Sequence, residues 1–145
     1  HARYKAVGKL YRYTCYDGPV KPVFQRKYVT ILEKRPDVEK MQKAAAYLEG
    51  KHDYKSFCGN PRMKKSTVRV VDKIEITRKG SFIYFDFHGT GFLQNMVRIL
   101  VGTLLEVGKG KIQPEQIPEL LEAKNRQMAG PTAPAQGLCL IKVDY

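Results

Sequence analysis

Cysteine, acid and long apolar runs are all scarce in this chain of 145 residues. The three cysteines, Cys15, Cys58 and Cys139, are odd in number and widely spaced, with no CxxC and no Cys/His ligand spacing. That pattern argues against a structural zinc site and a disulfide framework, and it fits a reducing, cytoplasmic setting. No apolar run approaches the roughly 20 residues that a membrane-spanning helix needs, so no membrane partner is expected. Signal peptide, internal repeat and low-complexity segment are likewise unrecognisable. The first residue already sits in structured-looking sequence, with neither methionine nor polar leader, so the chain is expected to be a fragment.

Acid is the most telling shortage. Fourteen Asp and Glu face 26 Lys and Arg, for a net charge of +12 and a pI of about 9.7. Such a surplus points to a polyanionic partner. It is uneven: residues 1–79 hold 20 basic and 8 acidic side chains, residues 80–145 six of each. The second half therefore reads as core and the first as the electrostatic footprint. Val, Ile, Tyr and Leu are interleaved with the charges, which favours a folded basic face over an unstructured tail. The length suits one domain with a real core.

Alternation in Leu10–Tyr16 predicts a strand with Tyr11, Tyr13 and Cys15 on one face, closed by the turn signal Asp17-Gly18-Pro19. A basic loop over 20–36 surrounds a short apolar segment at Tyr28–Leu32. Asp37 reads as the N-cap of a helix over 38–48 that ends at Gly50, with Val38, Met41, Ala45 and Leu48 as its apolar stripe. Residues 51–61 are expected to form a short helical turn and a loop. Thr67–Arg78 and Ser81–His88 form a hairpin across Lys79-Gly80, with a bulge suggested at Val71. Pro114–Ala123 reads as an amphipathic helix with Ile117, Leu120 and Leu121 inward. The segment 130–137 can be neither helix nor strand and should bring backbone close to something. Leu138–Tyr145 closes the chain as a strand, whose nearly continuous apolar start predicts a central place in the sheet. The sum is α+β: an antiparallel or mixed sheet with helices packed on one face.

The stretch from Gly89 to Gly108 organises the rest. It reads as a glycine-rich strand exit followed by a helix of about four turns, whose apolar residues from Phe92 to Leu104 fill an arc of roughly 200°. A helix so wide in its apolar face should be largely buried. The remaining stripe is Gly91, Gln94, Asn95, Arg98 and Gly102. A guanidinium in such a helix needs a carboxylate or a phosphate beside it. The bland alternative is an arginine that snorkels to solvent or pairs with a structural acid. Gly91 and Gly102 leave open backbone on the same stripe, which suits close approach by another chain or a ligand and favours a site.

Two other constellations compete for chemistry. Cys58 near His52 is the pattern of a thiol with its base, but no oxyanion or third-group signature accompanies it, and a packed free cysteine is favoured. Asp86 and His88 on one strand face are an acid–base candidate, against the commoner role of hydrogen-bonded structure.

The segment Gly91-Phe92-Leu93-x-Asn95-Met96-Val97-Arg98-Ile99-x-Val101-Gly102-Thr103-Leu104 resembles the signature of the bacterial tRNA pseudouridine synthase A family. So do His1-Ala2-Arg3, Lys9-x-Tyr11-Arg12-Tyr13, Asp53-Tyr54-Lys55-Ser56-Phe57 and Ala133-Pro134-Ala135-Gln136-Gly137-Leu138 through Asp144-Tyr145, in order along the whole chain. The resemblance implies isomerisation of uridine to pseudouridine in the anticodon arm of tRNA: the N-glycosidic bond breaks, the uracil turns, and the ring rejoins the ribose through carbon. It implies no cofactor and no metal, tRNA as partner, a cytoplasmic homodimer, and half of a pseudouridine synthase fold. The family's essential aspartate lies in an Arg-Thr-Asp-Ala-Gly motif that this sequence lacks. Residues 1–145 are thus expected to be one domain, the C-terminal half, with the catalytic aspartate in an absent N-terminal half and little activity alone.

By the same resemblance Tyr11 matches the active-site tyrosine that stacks on the flipped base, and Arg98 the arginine that pairs with the catalytic aspartate. Read without it, Tyr11 is more simply one rung of an aromatic ladder with Tyr13. Leu138 matches an apolar wall of the uracil pocket, with Gly137 and Asn95 as further substrate-side candidates. Gln94 departs from the family pattern and receives no role. Lys9, Arg12, Arg62, Lys64 and Lys65 lead the candidates for phosphate contact, with Lys5, Lys21, Arg26, Lys27, Lys55 and Arg69 behind them. The alternative function is a non-catalytic RNA-binding module, which the charge alone supports equally.

Overall fold

The computed structural model describes residues 7–145, so the His1–Arg3 motif and Lys5 lie outside the described residues. Strand β1 runs over Gly8–Tyr16, and its Tyr13 and Cys15 are fully buried while Arg12 and Thr14 are half-buried on the other face. The period-2 pattern places the aromatic row inward, as alternation requires. A two-residue strand, β2 at Thr30–Ile31, lies parallel to the end of β1. Helix α1 covers Val38–Leu48, and the Asp37 carboxylate accepts the Lys40 N–H at 3.1 Å, a cap worth about 1 kcal/mol. Met41, Ala44, Ala45 and Leu48 are its buried stripe.

Residues 50–53 differ from expectation: Gly50–Asp53 is strand β3, paired with Val68–Val71. Its sequence, Gly-Lys-His-Asp, carries no apolar alternation, because this edge strand is held by backbone pairing and buries none of its side chains. β4 over Val68–Lys79 and β5 over Phe82–Gly89 form the hairpin, with a register shift between Val71 and Lys73 where the bulge was expected. Ile83, Phe85 and Phe87 of β5 are fully buried, each contributing about 1.5–3 kcal/mol by leaving water.

Helix α2, Met96–Gly108, starts later than the periodicity suggests. Residues 90–95 must first turn the chain away from β5, and Asn95, at φ 57°, supplies the left-handed residue that completes the turn. Ten of the helix's 13 residues are buried, as its wide apolar arc demands. The Pro114–Ala123 helix splits into a 3₁₀ turn at Pro114–Gln116 and α3 at Ile117–Ala123, with Ile117, Leu120 and Leu121 buried. A further 3₁₀ turn occupies Ala135–Gly137, where only loop was expected.

The last strand, β6 at Leu138–Asp144, corrects a second expectation. It pairs with β1 alone, so among the described residues it is an edge strand and not a central one. Leu140 and Ile141 are 47% and 51% exposed. The register shift between Leu10 and Tyr11 leaves Ile141 without a partner residue, so the apolar run reflects a bulge and not burial on both faces. The sheet order is β2-β1-β5-β4-β3, with β6 sharing β1's outer edge with β2. Among the described residues only the β1–β2 pair is parallel, so the sheet is mixed. α1 packs on β4, and α2 on α1 and β1, closing one core over the Tyr13–Phe85–Phe87 face.

Candidate active site

Arg98 lies in the first turn of α2, half-buried. Its Nε donates to the Ala133 carbonyl at 2.7 Å, and the Ala133 N–H donates back to the Arg98 carbonyl at 3.0 Å. A longer contact of 3.4 Å joins its Nη1 to Asn95 Oδ1. No carboxylate among the described residues forms an ion pair with it. The sequence asked for an anion beside this guanidinium; the structure supplies a carbonyl and leaves the charge itself unmatched.

The loop carrying Ala133 is clamped from several sides. A Cβ on Gly102 would collide with the Pro131 carbonyl, so the glycine on the α2 stripe admits this chain's own loop. Gly130 N–H donates to Thr103 Oγ1 at 2.9 Å, and that hydroxyl donates to the Ile99 carbonyl at 2.8 Å. The Arg126 fork donates to the Gly130 carbonyl at 2.8 Å and to Thr132 Oγ1 at 3.1 Å. Tyr13 OH donates to the Pro134 carbonyl at 2.6 Å and lies 2.6 Å from Thr30 Oγ1. One phenolic proton cannot serve both, so Thr30 donates to Tyr13. Burial pushes the Tyr13 hydroxyl up to about 12, against the opposing pull of the Thr30 bond and of nearby Arg98. Tyr13 is therefore a protonated strut under the loop.

Gly137 passes directly over Tyr13: an added Cβ would lie 2.7 Å from the ring. Leu138 pairs with Tyr13 in the β1–β6 register and packs half-buried on the core. Tyr11 is two residues before Tyr13 on the same face, and its ring meets Phe92 edge to face at 5.3 Å. Its aromatic contact is thus to the loop that leads into Arg98. Tyr11, Arg98, Asn95, Gly137 and Leu138 accordingly belong to neighbouring elements: β1, the entry of α2, and the 130–138 segment that crosses both.

The basic candidates divide. Gly59 N–H donates to the Gln94 carbonyl at 2.8 Å, which places the exposed Arg62, Lys64 and Lys65 on a loop growing from the rim beside Asn95. Arg69 reaches toward Gly91. Arg12 sits on the opposite sheet face, in a bidentate pair with Asp86 at 2.8 and 3.0 Å and 4.7 Å above the Tyr84 ring. Its fork is taken by Asp86. Lys9, half-buried in β1, is paired with Gly89 and Val143.

The rival constellations are not assembled. His52 Nε2 bonds the Glu49 carbonyl at 2.8 Å, while the buried Cys58 Sγ bonds the Asn60 backbone. His88 lies between Asp72 at 2.7 Å and Asp144 at 3.3 Å, and Asp86 belongs to Arg12. Burial pushes the Cys15 thiol up to about 12, which leaves it inert. Arg126 went unnoticed in the sequence, and Thr103 and Ala133 stood within the quoted motifs without an assigned role; the signal for their contact was the rigid 130–137 segment, which had to rest against something. Among the described residues no group of three or more His, Cys, Asp or Glu is placed to hold a metal, and no helix is long and apolar enough to cross a membrane.

A family model described as tRNA pseudouridine synthase matches residues 44–145, from α1 through β6. The chain belongs to the tRNA pseudouridine synthase family. It is 50% identical over all 145 residues to a tRNA pseudouridine synthase A of Moorella thermoacetica, covering 59% of that protein. It is 43% identical over its whole length to proteins of the same name from Acetivibrio thermocellus and Syntrophotalea carbinolica, covering 59% and 58% of them. The chain thus spans about three fifths of the length of the curated relatives it matches. The family match includes Asn95, Arg98, Gly137 and Leu138, and the full-length matches extend it to Tyr11.

Proposed function

We propose that this chain is the C-terminal, RNA-contacting part of a tRNA pseudouridine synthase, which isomerises uridine to pseudouridine in the anticodon arm of tRNA. The observation that carries the proposal is Arg98: a guanidinium at the head of a buried helix, oriented by the Ala133 carbonyl and paired with no carboxylate among the described residues. The aspartate that it holds belongs to the part of the parent protein beyond these 145 residues. Tyr11 stacks on the flipped uracil and serves proton transfer at the ring, and Leu138 and Gly137 form the uncharged wall along which the base turns. Asn95 orients Arg98. In the net reaction the N1–C1′ bond breaks, a C5–C1′ bond forms, C5 loses its proton and N1 ends protonated, so no electrons are exchanged with a second reactant. Arg62, Lys64 and Lys65 hold backbone phosphates at the rim. The parent acts as a cytoplasmic homodimer, for which the three unpaired thiols are suitable.

The test is tritium release from tRNA labelled at C5 of uridine, run on the parent protein and on this chain alone. Release by the parent, silence from the chain, and a loss of at least ~100-fold in the parent's Arg98→Ala variant with tRNA binding retained are the expected outcomes. Wild-type turnover by Arg98→Ala would remove Arg98 from the site. Silence from the parent on tRNA that it binds would leave a non-catalytic RNA-binding module.

A further inference from the structure

At the end of α2 remote from Arg98 lies an open groove of about 540 Å³, with Leu32, Pro36 and Leu105 among its apolar lining. Its charged lining is one-sided: Lys34, Arg35, Lys109 and Lys111 against Glu33. Cations at a helix C-terminus ordinarily answer the exposed carbonyls of the last turn. Here those carbonyls are already taken by backbone. Leu105 accepts from Lys109 N–H at 3.0 Å, Glu106 from Lys111 at 2.9 Å, Val107 from Gly110 at 3.0 Å, and Gly108 from Asp37 at 2.9 Å. Arg35 reaches Asp17 at 3.6 Å and Lys109 reaches Glu106 at 3.3 Å, but Lys34 and Lys111 make no ion pair among the described residues.

The groove is joined to the candidate active site by one strap, residues 29–36, whose Ile31–Pro36 portion lines the groove. Val29 O accepts from Gln136 at 2.8 Å and Thr30 bonds Tyr13, while Leu32 N–H donates to the Tyr16 carbonyl at 2.8 Å. The same strap that supports the Pro134 loop therefore runs on to the groove. Its floor residue Leu105 lies within about 20° of Arg98 around the α2 axis and roughly 10 Å along it. Aliphatic side chains beside two unmatched ammonium groups suit a nucleotide, with its base and ribose on the floor and phosphates on the rim.

We propose that this groove is a second RNA subsite, holding a phosphate-linked nucleotide of the substrate strand away from the reacting uridine. It rests on the proposed function only for the identity of the polyanion as RNA.

The test is equilibrium binding of unmodified tRNA to the parent protein over a series of salt concentrations, with Lys34 and Lys111 both changed to Gln. Both lysines are exposed, and exposed lysines tolerate such changes with little effect on stability, so folding is retained. The expected result is weaker binding with a log–log salt slope shallower by about two, one for each lost phosphate contact. Lys40→Gln with Lys43→Gln, two exposed lysines on α1, is the control and should leave the slope in place. An unchanged slope in the Lys34/Lys111 variant would overturn the subsite, as would an equal reduction in the control, which would reflect net charge alone. The readout is binding and not turnover. A parent that releases no tritium while showing the slope change sinks the isomerase and keeps the groove, and turnover with an unchanged slope does the reverse.

Discussion

At the residue scale, Arg98 is held less by its own helix than by what touches its Nε. The Ala133 carbonyl stays in place because Arg126 holds the loop at two points, Gly130 O and Thr132 Oγ1. Arg126 itself lies in a 3₁₀ turn, Arg126–Met128, whose Asn125 side chain accepts the Gln127 N–H at 3.0 Å. In the parent protein, Arg126→Ala should therefore lower kcat by about 10–100-fold with little change in KM, because a small misplacement of a catalytic group is costly. Arg126→Lys should rescue only partly, since a single ammonium cannot reproduce the fork. Steady-state kinetics on tRNA separate kcat from KM; equal losses in both variants accompanied by weaker tRNA binding would mean a general loss of fold instead.

At the element scale, the free-edged strand β6 carries Leu138 and is tied to β5 by a polar knot at its far end. The His88 ring reaches Asp144 across Gly8, whose missing Cβ leaves the space, and bonds Asp72 with its other nitrogen. Lys73, opposite His88 in the β4–β5 register, and Lys142, 3.2 Å from Asp144, are the cations nearby. The Asp72 bond, then the Asp144 bond, raises the His88 pKa above its ordinary 6.5. The His88 bond, then Lys142, lowers that of Asp144 below 3.8. A raised histidine contributes its stability fully below the unfolded value and loses it as pH rises through the folded one; a lowered aspartate loses its contribution as pH falls through its folded value. The tie is thus complete between about pH 4 and about pH 6.5 and weakens above that. Hydrogen exchange in β6, corrected for intrinsic rate, should accelerate as pH rises above about 6.5. In His88→Gln that acceleration should vanish; its persistence would place the pH dependence elsewhere.

At the scale of the whole molecule, 20 of the 26 basic side chains lie in residues 1–79, yet the fold spreads those among the described residues over both sheet faces and several loops. Arg12 and Arg78 are bound to Asp86 and Asp17, so they add little to a surface field. The exposed remainder, the Arg62–Lys65 loop and the 20–36 segment included, carries the surplus positive charge. Binding of this chain to an unrelated RNA should therefore weaken linearly on a log–log salt plot, by a slope of about −0.7 to −0.9 per neutralised phosphate. A flat dependence would show that the surplus charge is only solvated.

Periodicity and turn chemistry made much of this molecule legible without coordinates. The Tyr11–Tyr13–Cys15 face, the Asp37 cap, the bulge near Val71 and the burial of α2 are local consequences of which side chains alternate, cap or crowd. The motifs around Arg98 and Leu138 likewise identified the family before any contact was known. The residues that define the site's shape were not readable, because they touch across long separations. Ala133 meets Arg98, Gly130 meets Thr103, and Thr30 meets Tyr13 through hydrogen bonds that no local pattern announces. β3 and the edge position of β6 were missed for the same reason: strand pairing satisfies backbone groups that every sequence possesses alike. By itself the sequence determined the inward faces, the charge and the family, since burial and solvation act on each side chain's own chemistry. Only the tertiary structure decided that Arg98 leans on Ala133 and leaves its charge unmatched, because that depends on which distant loop the folded chain brings to it.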